Sequence, residues 1–261
     1  MRDKSPSGDT ITFLGTGGAR VMVANQILAS GGLWLSLGGT EILIDPGPGC
    51  IVQSTKRKLR ADKLSAIILS HRHLDHSGDV NVMVEAMAQG GLKKPRGWFF
   101  TPADALETET VIFSYLKDYL AGIEILKEGK SYSIGNVSFT TPIRHIHPVE
   151  TYGMLFKTGE HTFSYIADTR YFDGLCHSYA SELLIINVVF IEPKPPIDHL
   201  SVPDAKRIVT ELKPKVAILT HFGMTMWRAK PWEIAQRLSQ ETGIRVIAAR
   251  DGMRFDLSQL A

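Results

Sequence analysis

Cysteine is scarce in this sequence: its 261 residues include only two, Cys50 and Cys176. Two cysteines are too few for a disulfide scaffold, and they do not form the Cys-x-x-Cys spacing of a redox or metal-binding motif. This usage fits a reducing compartment. We therefore expect both residues to be buried or free thiols.

Long apolar runs and an excess of charge of one sign are also absent. No segment offers the ~18 uninterrupted apolar residues of a membrane helix, and Met1–Thr10 lacks the apolar stretch of a signal peptide. With 29 basic and 27 acidic residues, the formal net charge is +2, so a nucleic-acid partner would need a local basic patch. We expect a cytoplasmic protein without a membrane partner.

The order of apolar segments predicts an α/β chain. Short β-rich runs are punctuated by Gly and Pro and alternate with helical periodicity. Because a chain of 261 residues with 44% hydrophobic content can still form one core, we expect a single domain over residues 1–261. A four-layer αββα sandwich fits this order, although the pattern alone does not choose it over other α/β layouts.

Individual elements follow from the same patterns. Helices are predicted over Val80–Gln89, Pro102–Tyr119, Val202–Leu212 and Pro231–Thr242. Strands are predicted over Ile11–Leu14, Gln26–Ser36, Glu41–Ile44, Ala66–Ser70, Trp98–Thr101, Glu124–Leu126, Ser131–Ile134, Val137–Thr140, Tyr152–Lys157, Thr162–Ile166, Leu183–Phe190, Val216–Leu219, Arg245–Ala248 and Met253–Asp256.

A run of histidines and an aspartate, His71-Arg72-His73-Leu74-Asp75-His76, follows the apolar strand Ala66–Ser70. In locally extended backbone the side chains of His71 and His73 project to the same side, so they can hold one ion, while Asp75 and His76 can serve a second. Solvated loop histidines would explain neither this spacing nor the position at a strand end, where α/β sites form. The motif predicts a metal site.

Two ions need more donors than this run supplies. Three downstream residues, His147, Asp168 and His221, each lie at or beyond the end of a predicted strand, as His71 does. His145 competes with His147, because the two are separated by one residue and would face the same side of an extended chain. We favour His147 and interpret His145 as a supporting residue.

These motifs, in this order, resemble those of the metallo-β-lactamase superfamily, and the resemblance covers nearly the whole chain. Phe13-Leu14-Gly15-Thr16-Gly17-Gly18 and Ile44-Asp45-Pro46-Gly47 resemble the ribonuclease Z and cyclic-phosphodiesterase branch. The resemblance implies the αββα sandwich and two ions, with Asp168 bridging them. The implied ligands are His71, His73 and His147 for one ion, and Asp75, His76 and His221 for the other.

The catalytic candidates are Asp75 and His199. Asp198-His199-Leu200-Ser201 resembles the segment from which ribonuclease Z enzymes supply a histidine that protonates the leaving group; the alternative is an ordinary helix-entry residue, with Ser201 as N-cap. For Asp79 we weigh a role as partner of a metal histidine against that of N-cap of the helix from Val80.

Several other residues near these motifs receive a structural interpretation. We interpret Asp45 as a buried carboxylate that orders the metal loop. Gly15–Gly18 is not a nucleotide loop, since no Gly-Lys-Ser/Thr follows and no helical pattern opens directly after it; a tight turn near the metals is favoured. Isolated arginines such as Arg20, Arg144 and Arg170 are mostly solvated or structural, although each could contact an anionic substrate.

The leading functional hypothesis is a binuclear phosphodiesterase that acts on a small or cyclic phosphodiester through a metal-bridging hydroxide. Alternatives are a tRNA 3′-processing endonuclease and a lactone, thioester or amide hydrolase. Only twenty residues separate His147 from Asp168, where a tRNA-binding arm is expected, so RNA is not favoured. Zinc is the expected metal, with manganese or iron as alternatives. A homodimer is expected, and Met224–Trp227 could contribute to its interface.

Overall fold

The computed structural model describes residues 8–92, 94–159 and 161–261, which form fourteen β-strands and ten α-helices, numbered below in chain order. The α/β class is therefore confirmed. The strands form two sheets of seven strands each within these described residues.

The first sheet is assembled mostly from the N-terminal half, and a strand from the end of the chain closes its edge. Its strands are β1 (Thr10–Phe13), β2 (Leu33–Leu37), β3 (Thr40–Ile44), β4 (Leu64–Ile68), β5 (Trp98–Thr101), β6 (Gly122–Ile125) and β14 (Arg254–Asp256).

The second sheet is assembled from the C-terminal half. Its strands are β7 (Lys130–Ile134), β8 (Val137–Thr141), β9 (Met154–Thr158), β10 (His161–Ile166), β11 (Leu183–Asn187), β12 (Val216–Thr220) and β13 (Arg245–Ala248).

The α-helices connect the strands on the outer faces of the two sheets. The longest are α8, which begins with a Ser201–Asp204 capping box, and α10, which has a proline in its first turn. The helices are α1 (Ala19–Asn25), α2 (Cys50–Lys56), α3 (Leu74–Ser77), α4 (Val80–Met87), α5 (Asp104–Glu107), α6 (Ser114–Lys117), α7 (Leu175–Ser178), α8 (Val202–Leu212), α9 (Met224–Arg228) and α10 (Pro231–Thr242).

Each sheet has an antiparallel half and a parallel half. The strand orders are β14-β1-β2-β3-β4-β5-β6 and β13-β12-β11-β10-β9-β8-β7. Pairing is parallel from β3 to β6 and from β10 to β13, and antiparallel elsewhere. In the parallel halves helices join successive strands, so the carboxyl ends of several strands lie on one edge.

The hydrophobic core lies in three layers, as a four-layer αββα sandwich requires. One cluster joins the inner faces of both sheets, and a second lies between the second sheet and α7 to α10. A third lies between the first sheet and the helices α2, α4, α5 and α6. Phe139, Phe156 and Phe163 stack across β8, β9 and β10 in the central layer. The predicted αββα fold is confirmed.

Two predicted elements differ most from the structure, while the other predicted elements begin and end within three residues of the observed bounds. The strand predicted over Gln26–Ser36 begins only at Leu33, because Ala29 and Gly32 form hydrogen bonds with the loop after β1 instead. The helix predicted over Pro102–Tyr119 is split into α5 and α6. Between them the Asn81 side chain donates to the Val111 carbonyl and accepts from the backbone N–H of Phe113, so a continuous helix cannot form.

Three expectations about surfaces and thiols can be compared with the structure. Cys50 and Cys176 are free and buried, as expected. Among the described residues, no helix is long and apolar enough to cross a membrane. The segment Met224–Trp227 lies in α9, where Met226 is buried and the side chains of Met224 and Trp227 pack against the cluster behind the second sheet. It therefore offers less free apolar surface than expected, and the homodimer stays a prediction.

Gly32 and Gly39 offer a matched test of the strand geometry that leads to Asp45. Both have left-handed backbone, with φ of 74° and 79°, but a Cβ on Gly32 would lie 2.1 Å from the carbonyl oxygens of Ile44 and Asp45, whereas a Cβ on Gly39 would meet nothing within 4 Å. Gly39→Ala should therefore cost only the left-handed strain of about 1 to 2 kcal/mol.

Gly32→Ala must in addition displace the end of β3, and should lower the free energy of unfolding by more than about 3 kcal/mol. Urea denaturation of both variants and the unchanged protein measures the difference. Equal losses would show that the close approach of Gly32 to β3 contributes nothing.

Candidate metal centre

The predicted metal ligands meet at the edge of the sandwich formed by the carboxyl ends of the parallel strands. His71 and His73 lie in the loop after β4, and the following helix α3 carries Asp75 and His76. The remaining predicted ligands come from the second sheet: His147 between β8 and β9, Asp168 just after β10, and His221 directly after β12.

The first ligand group consists of His71, His73 and His147. One ring nitrogen of each residue lies within 4.8 Å of one ring nitrogen of the other two. His73 Nδ1 is 3.1 Å from His147 Nε2. His147 Nδ1 donates to the Asp198 carbonyl oxygen at 2.9 Å, which leaves the lone pair of Nε2 directed at the group.

Of the predicted ligands, His71 fits metal binding most clearly. Its ring is fully buried, and Nε2 has no hydrogen-bond partner. The Ser70 hydroxyl donates to Asp45 Oδ2 at 2.7 Å, so it accepts from His71 Nδ1 at 3.0 Å, and Nε2 keeps its lone pair. A buried and unpartnered imidazole nitrogen, oriented by a hydrogen bond on the other nitrogen, is what a metal ligand requires.

The second ligand group consists of Asp75, His76, Asp168 and His221, again with ligand atoms within 4.8 Å of one another. His221 Nε2 lies 3.3 Å from His76 Nε2, 3.5 Å from Asp75 Oδ2 and 3.4 Å from Asp168 Oδ1. Two carboxylates and two imidazoles form a four-donor set for a divalent cation.

The Asp168 carboxylate lies between the two groups. Its Oδ2 is 3.8 Å from His71 Nε2 in the first group and 3.4 Å from His76 Nε2 in the second. The structure thus brings all seven predicted ligands together, with the Asp168 carboxylate no more than 3.8 Å from a ring nitrogen of each group. Their individual roles stay predictions.

Burial makes the first group a set of neutral bases. It lowers the pKa of His71, His73 and His147 alike. The pKa of His71 falls furthest, because full burial is reinforced by the neighbouring His76. A neutral imidazole offers its lone pair without first losing a proton, so this group is suited to cation binding.

Carboxylates reverse the effect of burial in the second group. Burial lowers the pKa of His76, but Asp168 and Asp45 outweigh it and raise the pKa well above its usual value. In the same way Asp168 outweighs burial and raises the pKa of His221 to about 9. His221 and His199 hold the pKa of Asp168 well below its usual value despite burial. The carboxylates therefore attract positive charge, and the residues present fit divalent metal ions.

Asp45 orders the motif, as expected, and belongs to neither ligand group. Its carboxylate is buried and accepts four hydrogen bonds. The donors are the Ser70 N–H at 2.6 Å, the Ser70 hydroxyl at 2.7 Å, His76 Nδ1 at 2.9 Å and the Tyr165 hydroxyl at 3.0 Å. The bond to His76 Nδ1 directs Nε2 at the second group, where a bound cation would replace the Nε2 proton.

The glycine loop, Gly15–Gly18, lies against the second group. A Cβ on Gly18 would be 2.2 Å from His221 Cδ2, so this close approach requires glycine. The backbone N–H of Ala19 donates to Asp75 Oδ2 at 3.1 Å. The loop is therefore near the ligands, as predicted, but the expectation that no helix follows it was wrong: α1 begins at Ala19. This helix has only seven residues and no side-chain cap, so the sequence lacked the usual signals.

Two alternatives from the sequence can now be compared with the geometry. His145 lies outside the ligand groups: Nδ1 donates to the Asp168 carbonyl oxygen at 3.2 Å, and Nε2 accepts from the Tyr179 hydroxyl at 2.8 Å. Asp79 occupies the N-cap position of α4 without a side-chain cap, and its carboxylate accepts from the Ile51 N–H instead. Asp79 is therefore the N-cap residue of α4, which is one of the two predicted roles, although its side chain does not cap the helix.

His199 lies beside the ligand groups, and its side chain is partly exposed. Its Nδ1 is 3.5 Å from Asp168 Oδ2, and its ring makes edge contacts with those of His147 and Phe190. Arg170, on the exposed side, has its Nε 3.8 Å from Asp198 Oδ1. Arg20 and Arg144 are also exposed.

Sequence reasoning missed Ser70, Tyr165 and Asn187, which bind the ligands or Asp45 through hydrogen bonds. One signal was available for Asn187: it is the only polar residue of the otherwise apolar strand β11, and a buried amide needs partners. Ser70 and Tyr165 carried no signal that distinguishes them from ordinary strand residues.

Comparisons with known proteins agree with this site. The family model described as a beta-lactamase superfamily domain matches residues 40–222. An uncharacterized protein of Methanocaldococcus jannaschii, MJ1374, is 31% identical over 255 residues, which cover 95% of this chain and 94% of that protein.

Solved structures share the fold. The metallo-beta-lactamase fold protein YhfI from Bacillus subtilis gives a TM-score of 0.80 at 23% identity, covering 96% of this chain and 100% of that one. A diphosphatase from the PhnP family gives 0.69 at 18% identity, covering 95% and 96%. The short form of human tRNase Z gives 0.64 at 18% identity, covering 95% and 98%.

The sequence match covers most of the chain, the two sheets have the expected order, and the His/Asp cluster lies at the expected edge. These are the fold and the cluster of a metallo-hydrolase. The chain belongs to the beta-lactamase superfamily and has the metallo-β-lactamase fold.

Proposed function

We propose that this protein is a binuclear metal-dependent phosphodiesterase that acts on a small or cyclic phosphodiester. The observation that carries the proposal is the pair of ligand groups with the Asp168 carboxylate between them. Two adjacent cation sites are the arrangement used to clamp the attacking and leaving oxygens of an in-line displacement at phosphorus.

The chain's own residues would divide the work between binding and orientation. His71, His73 and His147 would hold one ion, and Asp75, His76 and His221 the other, with Asp168 shared. Zinc fits these donors best, and manganese or iron are the alternatives. When bound, the ions supply an activated water and neutralise charge on the phosphoryl oxygens.

His199 is the proposed general acid for the leaving group. Its side chain is 14% exposed, so it can reach both the ligand groups and a substrate bound at the open side. Its buried Nδ1 has no hydrogen-bond partner. Asp75 is the other proposed catalytic residue; its side chain is 15% exposed, and its Oδ2 is oriented by the Ala19 N–H.

A small substrate is favoured over tRNA. Only twenty residues lie between His147 and Asp168, and the formal net charge of +2 gives no strong electrostatic grip on a polyanion. The similarity to a PhnP-family diphosphatase supports phosphoryl chemistry, and the similarity to tRNase Z keeps tRNA 3′ processing as the second candidate. Hydrolysis of a lactone, thioester or amide would use the same ligand groups on a carbonyl carbon.

Removal of the shared carboxylate should abolish two-metal binding. Asp168→Ala removes a donor from both groups, so metal analysis of the purified variant should find at most one ion per chain, where the unchanged protein carries two. Hydrolysis of bis-p-nitrophenyl phosphate should fall by more than about a thousandfold.

Asp79→Ala is the matched control, because Asp79 lies beside the motif. Among the described residues, its carboxylate accepts a hydrogen bond only from the backbone N–H of Ile51. This variant should retain two ions. Two ions in Asp168→Ala would contradict the binuclear proposal, and two ions in the unchanged protein without phosphodiester turnover would favour a carbonyl substrate.

The role of His199 can be tested by varying the leaving group. A general acid matters most when the leaving group is a poorly stabilised alkoxide, so His199→Ala should slow a cyclic or dinucleotide phosphodiester by about 10² to 10⁴-fold. The same variant should affect bis-p-nitrophenyl phosphate much less, because nitrophenolate leaves without protonation. An equal loss on both substrates, at unchanged metal content, would assign His199 to binding instead.

A further inference from the structure

A chain of buried hydrogen bonds joins two metal ligands behind the site. It starts at His76, passes through Asp45, Tyr165 and Asn187, and ends at Asp168. The distances are 2.9 Å from His76 Nδ1 to Asp45 Oδ2, 3.0 Å from the Tyr165 hydroxyl to Asp45 Oδ2, 3.2 Å from Asn187 Nδ2 to the Tyr165 hydroxyl, and 2.9 Å from Asn187 Nδ2 to Asp168 Oδ1.

The two carboxylates determine which group donates and which accepts in each of these hydrogen bonds. The carboxylates of Asp45 and Asp168 can only accept. The Tyr165 hydroxyl must therefore donate to Asp45 and accept from Asn187, and the Asn187 amide must turn its nitrogen towards both neighbours. Burial and the adjacent Asp45 raise the pKa of Tyr165 well above its usual value, which keeps the hydroxyl protonated as a donor.

Regular strands, not loops, hold two of the three intermediate residues. Tyr165 lies on β10 and Asn187 ends β11, and these strands pair in parallel with Tyr165 opposite Ile185. All five side chains that these hydrogen bonds connect are buried, and Asn187 is only 2% exposed. A donor or acceptor that lost its partner here would have no access to water, so the arrangement resists rotation of any one member.

We propose that Asn187 and Tyr165 are positioning residues that set the rotation of the Asp168 carboxylate and couple it to His76. Asn187 holds Oδ1, so that Oδ2 faces His71 Nε2 and His76 Nε2 at 3.8 and 3.4 Å. Tyr165 fixes the Asn187 amide and, through Asp45, the tautomer of His76. This inference rests on the proposed metal function of the two ligand groups.

Metal affinity measured by competition with a chromogenic chelator tests the inference. Asn187→Leu keeps a similar volume but removes both amide donors, and Tyr165→Phe removes only the hydroxyl. Each should weaken zinc binding by about 10- to 100-fold, as loss of a hydrogen bond that orients a ligand does. Because the two residues act in one chain, the double variant should lose less than the product of the two single losses.

Tyr132→Phe is the matched control, since Tyr132 is a similarly buried tyrosine whose hydroxyl donates to the Ile125 carbonyl and accepts from the Lys127 N–H, away from the ligand groups. It should leave the affinity unchanged. The thermal unfolding of the metal-free proteins should be measured alongside the titrations. A purely structural role would lower the melting temperatures of Tyr165→Phe and Tyr132→Phe alike without separating their zinc affinities.

The outcomes distinguish this inference from the proposed function. If the unchanged protein binds zinc and Tyr165→Phe and Asn187→Leu both bind it as tightly as Tyr132→Phe does, the positioning role is overturned and the proposed function stands. If the unchanged protein itself binds no divalent metal, the proposed function fails and the positioning role fails with it. If Asn187→Leu does not fold, Tyr165→Phe alone decides.

Discussion

The carboxylate of Asp45 lies between the two sheets, and four hydrogen bonds converge on it. Burying a charge in this way is costly unless every lone pair is satisfied, and here each donor that satisfies it also fixes part of the site. The Ser70 hydroxyl orients His71, His76 is bound directly, and Tyr165 ties the carboxylate to the second sheet. The geometry of the ligands thus depends on one buried acceptor.

The parallel halves of the sheets explain why the ligands converge from distant segments. β4, β10 and β12 end at the same edge of the sandwich, so residues 71, 168 and 221 come together although the chain between them spans both sheets. Glycine allows the remaining backbone to approach closely, as at Gly18 against His221. Rigid strands supply the positions, and short loops supply the donors.

The α/β class and the ligands of residues 71–76 could be predicted because their signals are local: strand-sized apolar runs, and histidines spaced to face one side. The αββα layout and the full ligand set followed from the resemblance of the ordered motifs to the metallo-β-lactamase superfamily, since apolar runs alone do not choose between α/β layouts. The split of Pro102–Tyr119 could not, because its cause is the side chain of Asn81 on a different helix. The bond between the Asp79 carboxylate and the Ile51 N–H was also missed, since the two residues are distant in sequence. Asn187 and Tyr165 acquire their partners only when β10 pairs with β11, a register that composition does not reveal.

The central claim is that two cation sites share the Asp168 carboxylate. Crystals grown with zinc, with anomalous data collected on both sides of the zinc absorption edge, test it most directly. We predict two anomalous peaks about 3.5 to 4 Å apart, one among His71, His73 and His147 and one beside His221, with Asp168 in contact with both. A single peak, or two peaks that Asp168 does not join, would contradict it.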